Sequence, residues 1–372
     1  MGTGMRTEER FIKCGVFGQI KENGMIQKPI LLQAKGISKS YPLAGKVKQG
    51  RIYAINDLSL RIKEGECRGI VGESGCGKST LLRILSGLEE PDGGEVLYQN
   101  MSVFAQMKTR RNEIQMVFQN SMNAVNSYLS AEAILGEPLK NFGGRKWEGK
   151  KERREKAALY LTRVGLSEKD LDKYPSQFSG GQLQRICIAR ALAAEPRVLL
   201  LDEPLSSLDV SVQAQIIRLL EKLGKENQLT QVLVSHDLEA VYYLSDSLTV
   251  MYGGWVVEEI EEIKLFDQLC HPYTKRLVQA SKGNWLRLNE QSKMVYPVRD
   301  EDNRNTDEFE TFTEEKVCPY VSLCPQRTEI CRKEIPPLAE LCDGHWVRCF
   351  FPVLPEQCAK IRNHPLRIEK KK

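Results

Sequence analysis

Apolar and polar residues follow two different periods along this chain, and the changes of period mark out its elements. IYAINDLSLRI (52–62) and CRGIVG (67–72) read as strands, while KSTLLRILSGL (78–88) reads as a helix. Farther on, RVLLLDEP (197–204) and QVLVSHD (231–237) carry the continuous apolar run of buried strands, with the helical SVQAQIIRLLEKLGKE (211–226) between them. Strands and helices in this alternation predict an α/β fold around a largely parallel sheet. From about 125 to 195 helical periodicity takes over, which predicts a helical insertion into that core. VRDEDNRNTDEFETFTEEK (298–316) is acidic and nearly free of aliphatics, as a linker or exposed loop would be.

Composition narrows the class. With 372 residues, 41% hydrophobic and 28% charged, the chain suits one large domain with a sizeable core plus a smaller appendage. No stretch approaches the roughly 18 uncharged apolar residues of a membrane-crossing helix. The opening MGTGMRTEERFIKCG lacks the apolar run of a secretion signal, and Arg6 stands where myristoylation wants Ser or Thr. Any membrane role is therefore expected to come through partners. The net charge of +5 is matched by the segment from Lys140 to Lys156, which reads as a solvated helix face; no nucleic-acid partner is expected. Eleven cysteines without a secretion signal point to a reducing compartment and to thiols that are free or metal-bound.

The chemistry-bearing segments come next. Gly72-Glu73-Ser74-Gly75-Cys76-Gly77-Lys78-Ser79-Thr80 fits G-x-x-x-x-G-K-[ST], after a strand and before a helix. Its glycines let backbone N–H groups face phosphates, Lys78 adds a positive charge, and Ser79 adds a hydroxyl for magnesium. Cys76 reads as a small tolerated residue. Asp202 and Glu203 end a buried strand, where adjacent carboxylates are costly without a cation; Asp202 suits magnesium and Glu203 suits the attacking water. His236 ends the next strand, within expected reach of a γ-phosphate. Phe178-Ser179-Gly180-Gly181-Gln182 precedes a helix and forms a second anion site, to which something outside the first cradle must present its phosphate.

Residues from about 31 to 280 resemble the ABC transporter ATPases. On that resemblance Lys78 falls in the Walker A motif, Asp202 and Glu203 in Walker B, Ser179 to Gln182 in the signature, Gln119 in the Q-loop, and Ser206 to Asp209 in the D-loop. His236 is the switch histidine, and Tyr41 the aromatic that stacks on adenine. The resemblance implies ATP and Mg2+ as cofactors. ATP would lie on Tyr41, Gly72, Ser74, Gly75, Cys76, Gly77, Lys78, Ser79 and Thr80, and the metal on Ser79, Gln119 and Asp202. Glu203, His236 and Gln119 would be catalytic. Phe178, where Leu is usual, and Leu183, where a polar residue is usual, are departures. The resemblance further implies a P-loop ABC ATPase core over 30–265 with a helical subdomain at about 120–195, flanked by an N-terminal extension (1–29) and a Cys-rich C-terminal extension (266–372). Implied partners are a second, homologous or identical ATPase chain and two membrane permeases, touched around Gln119 to Leu139. A solute-binding protein would act indirectly, and the chain would sit peripherally on the cytoplasmic face of the membrane.

His271-Pro272-Tyr273-Thr274-Lys275-Arg276-Leu277 resembles the stretch marking the oligopeptide, dipeptide and nickel importer ATPases. Cys318, Cys324, Cys331, Pro336-Pro337-Leu338 and Gly344 to Cys349 resemble that group's tail. The region after Glu258 departs from it, lacking the usual Gly-Pro turn. Cys318, Cys324, Cys331 and Cys349 can supply the four thiolates of a structural zinc or an iron–sulfur cluster. The resemblance implies a 4Fe-4S cluster, with free thiols as the alternative and Cys342, Cys358 and His345 as spare ligands. Too small to hold itself firmly, such a tail would gain much from a metal staple. The expected function is an ATP-hydrolysing subunit that powers oligopeptide or dipeptide import. The alternatives are a nickel or metallophore importer, or a non-transport ATPase with a redox-sensing tail.

Overall fold

The computed structural model describes residues 28–42, 50–106, 110–142, 149–206, 208–285 and 317–354. The expectations for the first 27 residues, the acidic segment 298–316 and Cys358 lie outside them. In chain order, β1 (Ile30–Pro42) and β2 (Arg51–Lys63) are followed by β3 (Cys67–Val71), which leads into α1 (Lys78–Leu85). Then come β4 (Gly93–Tyr98), β5 (Met101–Ser102), α2 (Val103–Gln106) and β6 (Ile114–Val117). The helical stretch holds α3 (Ser121–Ala124), α4 (Ala131–Phe142), α5 (Lys150–Arg163) and α6 (Gly180–Leu192). Beyond it lie β7 (Val198–Asp202), α7 (Val210–Asn227), β8 (Thr230–Ser235), α8 (Leu238–Leu244), β9 (Ser247–Tyr252), β10 (Trp255–Ile260) and α9 (Pro272–Trp285). The tail adds β11 (Ala339–Cys342) and β12 (His345–Val347).

Two sheets result. The larger runs β11-β12-β10-β9-β3-β8-β7-β6, with β9, β3, β8, β7 and β6 parallel and the remaining pairings antiparallel. Period-two alternation sends its side chains into two apolar layers. Leu199, Leu201 and Leu233 join the helices, whereas Val198, Leu200, Val232 and Val234 join α1 and the second sheet. That second sheet, β2-β1-β4-β5, is antiparallel. The sequence pattern reveals only part of it, because Gly36 (φ +56°) and register shifts between Ala34 and Ile37 break the alternation of β1.

The tail shares the core of the main body. β12 extends the large sheet by pairing with β10, Glu258 opposite Val347 and Ile260 opposite His345. Cys318, Tyr320, Cys324 and Cys331 belong to the same apolar layer as α6 and β7. Its stability thus draws on apolar surface and strand pairing supplied by the larger unit, as well as on whatever its thiols hold. No helix among the described residues is long and apolar enough to cross a membrane.

Candidate functional site

Between β3 and α1 the chain curls through residues 72–77. Gly77 has φ +104°, and a Cβ there would lie 2.0 Å from the Ala54 carbonyl oxygen, so only glycine fits. Lys78, buried at the first turn of α1, folds back and donates from Nζ to the carbonyls of Gly72 (2.7 Å) and Glu73 (2.8 Å). Cys76 Sγ is 3.8 Å from the same Nζ, but the side chain is buried in the apolar layer; burial pushes its thiol up, against the pull of Lys78. Ser74 and Gly75 are exposed at the crest of the loop. Thr80 faces Tyr41, whose hydroxyl donates to Glu89 Oε1 (2.7 Å) and accepts from Arg83 Nη2 (3.3 Å). The Arg83–Glu89 pair that pins this tyrosine carries no local sequence signal.

A carboxylate pair faces the loop from the end of β7. Ser79 Oγ donates to Asp202 Oδ1 at 3.0 Å. Burial pushes Asp202 above the usual carboxylate range and the charge of Glu203 adds to this, while Ser79 and Lys78 pull the other way. Two hard oxygen donors beside a strained acidic neighbour suit a small divalent cation such as magnesium. Glu203 takes a left-handed backbone (φ 44°), with its N–H held by the Val234 carbonyl across the sheet. That turn lifts its carboxylate off the strand, where Oε2 accepts from Gln119 Nε2 at 2.9 Å and lies 3.2 Å from His236 Nδ1. Side chains 84 and 33 residues away in sequence therefore meet on one oxygen.

The segment expected to form a second anion site is built as a helix start. Ser179 caps α6: its Oγ accepts from Gln182 N–H (3.3 Å), and Gln182 Oε1 accepts from Ser179 N–H (3.0 Å). Ser179, Gly180 and Gln182 are exposed, while Gly181 is buried against Val212 of α7. Leu183 is fully buried and Phe178 packs on the same layer, so both departures noted above serve the helical core. Among the described residues no hydrogen bond joins this site to the phosphate loop. Asp209, exposed, precedes α7 without a side-chain cap. The exposed Met122 and Tyr128 lie in the stretch 119–139.

Cys318, Cys324, Cys331 and Cys349 line one pocket, together with His271, Tyr320 and Phe350. Burial pushes the Cys318 thiol up to about 11 and that of Cys349 to about 12, each raised further by the neighbouring cysteines. Four thiols around one cavity fit a thiolate-bound metal centre. Among the described residues, the ligand atoms that draw within 4.8 Å of one another as a group of three are those of Glu258, Cys270 and His345. His345, a spare thiol partner on sequence grounds, instead lies 2.8 Å by Nε2 from Glu258 Oε1, with both side chains fully buried. Glu258 also accepts from the N–H groups of Cys270 (2.6 Å) and His271 (3.2 Å). These bonds satisfy the carboxylate without an ion and tie β10, β12 and the start of α9 together. Burial pushes Glu258 up, yet the His345 contact leads a set of bonds that leaves it below the usual range. The sequence HPYT makes sense here: His271 Nδ1 accepts from Tyr273 N–H (3.1 Å) and Pro272 opens α9. Burial lowers His271 to about 4, which keeps that nitrogen free to accept.

Residues 55–206 match the family described as ABC transporter. The chain is 36% identical over 332 residues to the oligopeptide transport ATP-binding protein AppF of Bacillus subtilis, covering 86% of this chain and 96% of that protein. It is 38% identical to the dipeptide transport ATP-binding protein DppF of Haemophilus influenzae, covering 89% and 98%. Among solved structures, it resembles a dimeric post-hydrolysis state of the ATP-binding cassette MJ0796 bound to ADP and Pi. There the TM-score is 0.56 at 35% identity, covering 63% of this chain and 99% of that one.

Proposed function

Because this chain belongs to the ABC transporter family, among its peptide-transport ATP-binding proteins, we propose that it hydrolyses ATP to power import of oligopeptides or dipeptides. The observation that carries this reading is the meeting of Gln119 and His236 on Glu203, beside the Ser79–Asp202 pair and the lysine-bearing loop. Lys78 binds and orients the β- and γ-phosphates, and the N–H groups around Ser74, Gly75, Gly77 and Thr80 complete the cradle. Tyr41 holds the adenine. Ser79, Asp202 and Gln119 would hold magnesium, whose positive charge would offset that of the phosphates. Glu203 orients the attacking water and takes its proton, and His236 steadies the γ-phosphate.

The exposed capping box of Ser179 and Gln182 serves the nucleotide of a second ATPase chain, identical or homologous, with Asp209 at the same junction. Two cassettes then close over ATP, and hydrolysis removes the contact that holds them shut. Residues 119–139 meet the membrane permeases, which places the chain at the cytoplasmic face of the membrane, with a solute-binding protein delivering cargo. We further propose that the four-cysteine pocket holds a 4Fe-4S cluster. Four thiols lining one pocket are the donor set that such a cluster requires.

The test is peptide-stimulated ATP hydrolysis in proteoliposomes holding the chain, its partner ATPase and the two permeases, with the binding protein added outside. Hydrolysis that rises with peptide-loaded binding protein supports the reading; hydrolysis indifferent to it defeats peptide import.

A further inference from the structure

The phosphate loop has an unexpected neighbour. Glu73 N–H donates to the hydroxyl oxygen of Tyr273, in α9, at 2.9 Å. The carbonyl of the same residue accepts from Lys78 Nζ at 2.8 Å. Glu73 is thus held at both ends, by Tyr273 on one side and by the phosphate-binding lysine on the other. Tyr273 is fully buried, with its ring 4.6 Å from that of Tyr252 and 5.4 Å from that of Tyr320. Tyr320 lines the cysteine pocket two residues after Cys318, and it also packs 5.1 Å from Tyr252. A continuous run of packed rings joins the thiol pocket to the backbone that positions Lys78.

We propose that Tyr273 is a positioning residue for ATP binding, and that Tyr320 passes to it the state of the four-cysteine pocket. The hydroxyl fixes the peptide unit on which Lys78 rests, so that the ammonium is held ready for phosphate. Tyr320 fixes the ring that carries this hydroxyl. Loosening the pocket walls shifts Tyr320, tilts Tyr273 and weakens nucleotide binding without touching Glu203, Asp202 or His236. This inference rests on the ATP-binding reading above.

The experiment is a double-mutant cycle on the full-length chain, reading ATP affinity by equilibrium binding and the split between KM and kcat. Tyr273→Phe keeps the ring and deletes the hydroxyl. It is expected to raise Kd and KM for ATP about three- to tenfold, the worth of one hydrogen bond, with kcat lowered less than twofold. Tyr320→Leu is expected to raise Kd in the parent background and to add little to Tyr273→Phe. Tyr320→Phe, which keeps the ring but gives up the hydroxyl's bond to Arg276, is expected to raise Kd less than Tyr320→Leu does. If Tyr320→Leu unfolds by circular dichroism, Tyr320→Met replaces it in the cycle. An unchanged Kd in Tyr273→Phe, or two effects that multiply independently, overturns the proposal. A parent chain that binds no ATP defeats the ATPase reading instead, so the two failures are told apart.

Discussion

Gln119 and Glu203 come from strand ends 84 residues apart, yet the amide Nε2 of one donates to the carboxylate Oε2 of the other at 2.9 Å. The bond ties the segment entering the helical stretch to the carboxylate assigned to water activation. A movement of that stretch therefore alters the geometry around Glu203, a direct physical route from the proposed permease contact to chemistry.

Removing the amide tests this route. Gln119→Ala should lower kcat about ten- to hundredfold, the usual cost of losing a group that orients a ligand or metal. ATP binding should survive, since Lys78 and the loop backbone are untouched. Steady-state hydrolysis alongside equilibrium ATP binding checks both halves.

Ser179→Ala removes the N-cap of α6 and should cost about 1 kcal/mol of stability. If Ser179 also meets the partner chain's nucleotide, hydrolysis should fall far more than that loss explains, while ATP binding to the chain's own loop persists. Denaturant melts run beside hydrolysis assays separate the two effects.

Much of the site was readable in advance because local pattern carries it. The glycine spacing around Lys78 and the buried run ending at Asp202 announce phosphate and metal chemistry from a few adjacent residues. The tail was less readable. Sequence offers His345 as a spare metal ligand, whereas its contact with Glu258 depends on the register of β12 against β10, which places Ile260 opposite His345 and Glu258 within reach. Tyr273 stood in a motif that marked a subgroup, while its bond to Glu73 joins residues 200 apart and no local signal announces it. The antiparallel sheet was obscured by the irregular β1.

The Glu258–His345 pair predicts a pH-dependent stability. The folded carboxyl sits below its ordinary value, so its contribution is present above an unfolded pKa of about 4.3 and is lost as pH falls through the folded value. His345→Leu strands the buried carboxylate and should cost about 3–5 kcal/mol at pH 7. The deficit should shrink toward acid, because an unpaired buried Glu258 takes up a proton more readily. Chemical denaturation at pH 7 and near pH 5 tests the sign.

For the cysteine pocket, anaerobically purified chain should be coloured and contain iron. Changing Cys324 to Ser should bleach it and lower the melting temperature. Visible absorption and metal analysis decide this, and a colourless protein carrying stoichiometric zinc would contradict the cluster.

The central claim, that Glu203 activates water over a nucleotide held between two cassettes, is tested most directly by Glu203→Gln in the assembled ATPase pair. Turnover should fall about 10²- to 10⁴-fold. ATP binding should stay at the parent level, and a closed dimer should accumulate with ATP on size exclusion. Hydrolysis at the parent rate, or failure of the variant to bind ATP, would contradict the account.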